Sequence, residues 1–231
     1  RAARIIESEV DVSAVENLAT PAVPVMAPSL LNRKSLINGS IRIGIAQDAA
    51  FGFYYQDDLE ALAASGAKLV TFDALHDRQL PPVDGLFIGG GFPEVHMEAL
   101  SENTTLKDDI RIAVESGMPC YAECGGLLYL SRSLSWQGNT YDMVGVIPGD
   151  GVMHDRPIGR GYVQLNETEE ALWPSTEDLS SGENIPAHEF HYASLEGVTG
   201  KQRYAYNIVR GHGIDGKRDG LILNNLMACF S

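Results

Sequence analysis

A chain of 231 residues, 44% hydrophobic and 21% charged, has the length and balance of one large globular domain with room for attachments. A formal net charge of −14 argues against nucleic acid as a partner, because phosphate binding needs a basic surface. No apolar run is long enough to cross a bilayer, the first ten residues lack a signal-peptide core, and three cysteines (Cys120, Cys124, Cys229) suit a reducing cytoplasm better than a disulfide framework.

Residues 1–18 mix charge and aliphatics and predict one or two short amphipathic helices. Residues 19–40 hold Pro21, Pro24 and Pro28 without a clear period, which disfavours helix and central strand, so this stretch reads as a linker or as an arm packed on the domain. The compact domain is expected over 41–231. Residues 41–46 (IRIGIA) form a first strand. Residues 54–65 are helical in pattern, with Gly66 where a C-terminal cap belongs. Residues 68–72 make a second strand, and 85–88 a third that runs into Gly89-Gly90-Gly91. Leu106, Ile110, Ala113 and Val114 have helix spacing over 106–116, stopped by Gly117. Residues 119–122 form a fourth strand and 125–131 the helix after it. Strand and helix in alternation imply an α/β fold with a mostly parallel sheet covered by helices. Ligand sites in such sheets lie at the carboxyl ends of the strands, where both Gly-rich clusters fall. After Met143 short β-type segments (161–165, 189–193, 204–209) suggest antiparallel additions to the sheet.

The chemistry concentrates at Cys124. In Pro119-Cys-Tyr-Ala-Glu-Cys-Gly-Gly-Leu-Leu-Tyr-Leu130 a strand runs straight into a cysteine, and two glycines then open a helix. This is the layout of a nucleophile elbow, in which a strained turn presents the side chain and glycine removes the Cβ clash beside it. A helix N-terminus behind the thiol is expected to lower its pKa. A buried, space-filling cysteine is the competing reading, and it suits Cys120 inside the strand better. A metal or cluster site on Cys120 and Cys124 lacks a third ligand. A thiolate attacking an amide also needs donors for the developing oxyanion. The segment Gly89-Gly-Gly-Phe-Pro-Glu94 is the candidate, because its glycines let backbone N–H groups approach a small substrate. It lacks the Gly-Lys-Ser/Thr of a P-loop and the spacing of a dinucleotide fingerprint.

Residues 88–96 (IGGGFPEVH), 121–130 (YAECGGLLYL) and 143–148 (MVGVIP), then Arg156-Pro157, 159–162 and 187–192 (AHEFHY), resemble in order the amidotransferase half of the cobyrinic acid a,c-diamide synthase family, with hydrogenobyrinate and sirohydrochlorin members. The pairing of GGGFPE with AECGG makes the resemblance specific. It implies a class I glutamine amidotransferase fold, Cys124 as the catalytic nucleophile, and Gly90 and Gly91 as the oxyanion hole and glutamine-binding backbone. It implies glutamine as substrate, a preceding synthetase domain of the same polypeptide as partner, and a tetrapyrrole acceptor whose acetate side chains become amides. The resemblance implies no cofactor and no metal in this domain, with ATP and Mg2+ used by the synthetase domain. Residues 1–18 resemble the tail of that domain, and the amidotransferase domain is expected to be truncated at its C-terminus, with the catalytic histidine just beyond Ser231. Residues 226–231 (LMACFS) depart from the family's usual Ala-Ser-Tyr pattern, which leaves sirohydrochlorin or sirohaem open as the acceptor. A non-catalytic, amidotransferase-like interaction domain and a cysteine hydrolase such as a peptidase are the readings from other classes.

Glu189 and His191, two apart on a β-type segment, share a face. They are expected either to line the cleft on the acceptor side or to form a buried structural pair. His188 and His191 are three apart and so are not a zinc HExxH pair. His154, Asp155 and Arg156 fall in a polar loop that could meet substrate carboxylates. Cys229, near the end of the chain, is expected to be the exposed cysteine that complicates labelling of Cys124.

Overall fold

The computed structural model describes residues 9–18, 41–173 and 184–231. The chain divides into two units, 1–34 and 35–231. In the first, α1 (Val12–Leu18) is capped by the Asp11 carboxylate, which accepts the Ala14 N–H at 2.9 Å. The expected helical residues 1–8 and the linker 19–40 lie outside the described residues.

The second unit starts at β1 (Arg42–Ala46), followed by β2 (Phe51–Phe53), α2 (Gln56–Ala64), β3 (Lys68–Phe72), β4 (Gly85–Ile88) and β5 (Gly90–Gly91). A 3-10 turn over Pro93–His96 leads into α3 (Met97–Glu102) and α4 (Thr104–Glu115), then β6 (Cys120–Glu123) and α5 (Gly125–Leu130). The later strands are β7 (Ser131–Trp136), β8 (Asn139–Asp142), β9 (Ile147–Met153), β10 (Gly159–Glu167), β11 (Ile185–His191), β12 (Ala193–Glu196), β13 (Arg203–Arg210), β14 (Arg218–Leu223) and β15 (Leu226–Cys229).

Nine strands form one sheet in the order β11-β10-β13-β14-β15-β6-β4-β1-β3. From β15 to β3 the neighbours are parallel, and from β15 to β11 antiparallel. The short β-type segments are therefore additions to the main sheet, as their alternation indicates. A second sheet, β12-β9-β7-β8, was not legible in the sequence. The helix expected to run to Ser131 ends at Leu130, and Ser131 starts β7. Its buried hydroxyl donates within the turn instead, at 2.6 Å to the Leu128 carbonyl and 2.8 Å to that of Ser133.

Two of the helices, α2 and α4, stop where glycine permits a left-handed cap. At the end of α2, Gly66 has φ 102°, and the Ala67 and Gly66 N–H groups donate to the Leu62 and Ala63 carbonyls. At the end of α4, Gly117 has φ 95°, and Met118 and Gly117 donate to Ala113 and Val114 in the same pattern. Both are Schellman motifs. α4 buries Leu106, Ile110 and Val114 at four-residue spacing, and they join Ile88, Leu100 and Leu127 in the main core.

Candidate active site

The carboxyl ends of β4, β6 and β15 converge at one place. β6 leads into Cys124, whose backbone sits at φ 48°, ψ −98°, a conformation L-residues rarely adopt and one of the three positive-φ non-glycine residues among those described. Two bonds hold it there. Its N–H donates to the Cys229 carbonyl at 2.8 Å, and its carbonyl accepts from the Leu128 N–H at 3.2 Å.

The glycines after Cys124 make room for the loop after β4. A Cβ on Gly126 would stand 2.0 Å from the Ile88 carbonyl oxygen, and one on Gly125 would stand 2.9 Å from the Gly91 nitrogen. The Gly126 N–H donates to the Gly89 carbonyl at 3.1 Å. The Gly-rich loop is itself held from behind by Tyr54, whose hydroxyl accepts the Gly89 N–H at 3.0 Å and donates to the Ala46 carbonyl. Asp48 holds the next layer: its carboxylate accepts the N–H groups of Ala50, Phe51 and Ala74. Ala50 in turn lies against Gly91, where a Cβ would meet the Ala50 oxygen at 1.9 Å. Gly90 and Gly91 thus sit beside the elbow, and the Gly125 N–H points at the thiol. In an elbow of this kind the residue after the tip is an ordinary candidate for an oxyanion donor, so Gly125 joins Gly90 and Gly91 as a candidate, and the elbow pattern alone could have named it.

The expected lowering of the Cys124 pKa is not what the structure gives. Although part of the side chain meets solvent, burial pushes the thiol up to about 12, with Glu123 adding to the rise; the Gly125 N–H opposes it, and Glu94 and Asp219 raise it further. A six-residue helix end does not outweigh desolvation plus neighbouring carboxylates. Glu123 is itself raised to about 7, by burial and then by Asp58 and Asp219. Asp219, fully buried, accepts from the Gly220, Phe230 and Ser231 N–H groups and so ties the end of β15; burial raises its carboxyl despite those bonds. Neither acid was singled out from the sequence, although Glu123 adjoins the nucleophile. Cys229, expected to be exposed, is 1% exposed, and its thiol hydrogen-bonds with the Tyr121 hydroxyl at 3.3 Å. Cys120 is buried in β6 as expected.

Glu189 and His191 do share a face, and both are buried, 2% and 3% exposed. Glu189 accepts the His212 and Gly213 N–H groups at 2.8 and 2.9 Å; burial raises its carboxyl, but the nearby His191 and these two amides outweigh burial and lower its pKa. The His191 Nδ1 lies 2.7 Å from the Ala193 carbonyl, its Nε2 lies 3.5 Å from Glu189, and its ring stacks on Phe230 at 4.0 Å. Gly159 leaves the space, since a Cβ there would reach to 2.2 Å from the imidazole. These contacts are those expected of a buried pair. In the polar loop, the His154 Nε2 is engaged with the Ser194 hydroxyl at 2.7 Å. Among the described residues no cluster of three or more His, Cys, Asp or Glu could hold a metal. No helix among them is long and apolar enough to cross a membrane.

The model of the CobB/CobQ-like glutamine amidotransferase domain matches residues 42–231. The chain is 41% identical to the cobyrinate a,c-diamide synthase of Magnetococcus marinus, over 99% of this chain and 49% of that protein. It is 38% identical to the protein of that name from Archaeoglobus fulgidus, over 99% and 48%. The chain therefore spans about half the length of the curated relatives it matches. Among solved structures, PurLQS from Thermotoga maritima overlays with a TM-score of 0.60 at 16% identity, covering 82% of this chain and 85% of that one. A glutamine amidotransferase from the same organism overlays with a TM-score of 0.54 at 8% identity, covering 82% and 74%. At such identities these two likenesses concern the fold.

Proposed function

The chain belongs to the CobB/CobQ-like glutamine amidotransferase domain family and has the class I amidotransferase fold, and from that premise we propose that it hydrolyses glutamine through Cys124 and supplies ammonia for amidating a tetrapyrrole. The observation that carries this reading is the strained Cys124 seated between the Gly125 N–H and the Gly-rich loop. The thiolate attacks the side-chain amide carbon of glutamine. The oxyanion is met by the N–H groups of Gly125 and of Gly90 or Gly91. The carbon–nitrogen bond breaks, ammonia leaves with a proton, and water cleaves the resulting thioester to glutamate.

A thiol raised to about 12 does not attack unaided at neutral pH. Its base is proposed to be an imidazole from polypeptide following Ser231, as the family resemblance implies. The Cys124 N–H bond to the Cys229 carbonyl favours this, because it brings β15 alongside the elbow. The names of the relatives suggest cobyrinate as the acceptor, amidated at its a and c acetates by an ATP- and Mg2+-using synthetase domain of the same polypeptide. On this reading residues 1–18 are the tail of that domain and 19–40 a linker.

In the full-length gene product, Cys124→Ala is expected to abolish glutamine-dependent amidation while ammonia-dependent amidation persists, since free ammonia bypasses the thiol. Equal loss of both activities overturns the assignment.

A further inference from the structure

The charged groups that act on the Cys124 thiol are acids: Glu123, Glu94 and Asp219. Glutamine brings the opposite charge to that neighbourhood. Its α-ammonium group lies about 5 Å from the amide carbon along the extended side chain, so a thiol set against the amide keeps the ammonium within the same small site. A site that takes glutamine rather than any primary amide must recognise that ammonium, and a carboxylate without a cation of its own is the group suited to it.

The acids around the thiol are not equally placed to do so. Asp219 is fully buried, and its oxygens already accept the Gly220, Phe230 and Ser231 N–H groups. Glu123 lines a groove beside α2 together with Asp58 and Tyr121, and the lining of that groove includes neither Cys124 nor any residue of 89–94.

Glu94 is placed differently. It stands on the Gly-rich segment itself, three residues after Gly91, and is half-buried. Pro93 before it packs on the elbow: a Cβ on Gly125 would stand 3.1 Å from the Pro93 Cδ. The Pro93–His96 turn therefore holds Glu94 next to the residue that follows the nucleophile. None of the ion pairs among the described residues includes Glu94. Burial raises its carboxyl, against its own N–H and His96. A bound ammonium would offset that desolvation.

We propose that the Glu94 carboxylate receives the α-ammonium group of glutamine and so makes the site select an α-amino acid amide over a simple primary amide. The inference rests on the amidotransferase reading of Cys124 and adds the group that recognises the far end of the substrate.

Glutaramate, the same amide without the α-amino group, separates recognition from chemistry. Ammonia release from glutamine and from glutaramate is measured with the full-length gene product, and the preference is the ratio of the two kcat/KM values. The wild type should prefer glutamine by about tenfold or more, the scale of one charge-assisted hydrogen bond. Glu94→Gln, nearly the same in shape, should remove most of that preference, chiefly by raising the KM for glutamine, whereas Glu123→Gln should retain it. A preference that Glu94→Gln leaves intact overturns the proposal, as does an equal loss of preference in Glu123→Gln. Equal damage to both substrates, with a shifted pH profile for iodoacetamide labelling of Cys124, also overturns it, because Glu94 then acts on the thiol and not on the ammonium. A wild type that releases ammonia from neither amide overturns the amidotransferase reading and the proposal together, whereas a wild type that turns over glutamine while Glu94→Gln keeps the preference overturns the proposal alone.

Discussion

Replacing Gly91 with alanine tests whether the glycines after β4 serve close approach to the elbow. A Cβ at Gly91 would lie 1.9 Å from the Ala50 carbonyl oxygen and 2.9 Å from the Ala50 carbonyl carbon and the Phe51 Cα, all of them backbone atoms. No rotamer relieves such a contact, so the β2–β5 ribbon must part by about 1 Å, at an overpacking cost of about 1–3 kcal/mol. The same shift carries the Gly91 N–H away from Gly125, and about 1 Å of misplacement in a catalytic array can cost on the order of 100-fold in rate. Gly90→Ala is the internal control, because its Cβ would meet the Phe53 side chain at 3.2 Å, which a small adjustment absorbs. Glutamate release from glutamine by the full-length gene product, with urea denaturation of the 231-residue chain, reads both effects. Gly91→Ala is expected to lose roughly 100-fold in turnover and 1–3 kcal/mol in stability, with Gly90→Ala within a few-fold and under about 1 kcal/mol. Gly91→Ala with near-normal turnover, or Gly90→Ala equally damaged, refutes the argument.

Other groups at the site give further expectations. Burial holds the Glu123 carboxyl at about 7 against an ordinary 4.5, so the folded chain keeps a proton there that the unfolded chain has released. Its contribution to stability is full below pH 4.5 and is lost as pH rises through 7, by up to roughly 3 kcal/mol. Glu123→Gln should therefore gain on the wild type across that window in urea denaturation, and parallel pH profiles would contradict it. Iodoacetamide labelling of Cys124 in the 231-residue chain should rise about tenfold per pH unit to beyond pH 9, while buried Cys120 and Cys229 react only after unfolding; a plateau near neutrality means the thiolate already exists. Asp219→Ala should cost roughly 3 kcal/mol, because the buried Phe230 N–H and the half-buried Ser231 N–H lose their acceptor; a loss under about 1 kcal/mol would show that water replaces it.

Local chemistry made much of this protein legible in its sequence. Residues 68–72 and 85–88 are strands with the expected bounds, because a short apolar run between turn residues has few other uses. Gly66 and Gly117 end helices as expected, because only glycine takes φ near 100° without strain. Cys124 followed by two glycines predicts a sharp turn for the same reason, and the glycine pattern at 89–91 predicts close backbone approach.

What the sequence by itself determined, then, was everything written in neighbouring residues: the alternation of strand and helix, the capped helix ends, the elbow and the glycine loop. Only the tertiary structure decided which distant segments meet, because pairing across the sheet depends on contacts that no local pattern encodes. It put β15 beside β6, so that the Cys229 carbonyl holds the Cys124 amide across more than a hundred residues of chain. It turned Glu189 and His191 inward, since a β alternation says which residues share a face but not which face is buried. It also reversed the expected direction of the Cys124 pKa shift. A thiol's pKa is set by the desolvation and carboxylates around it, and Glu94 and Asp219 reach that neighbourhood only when the chain is folded.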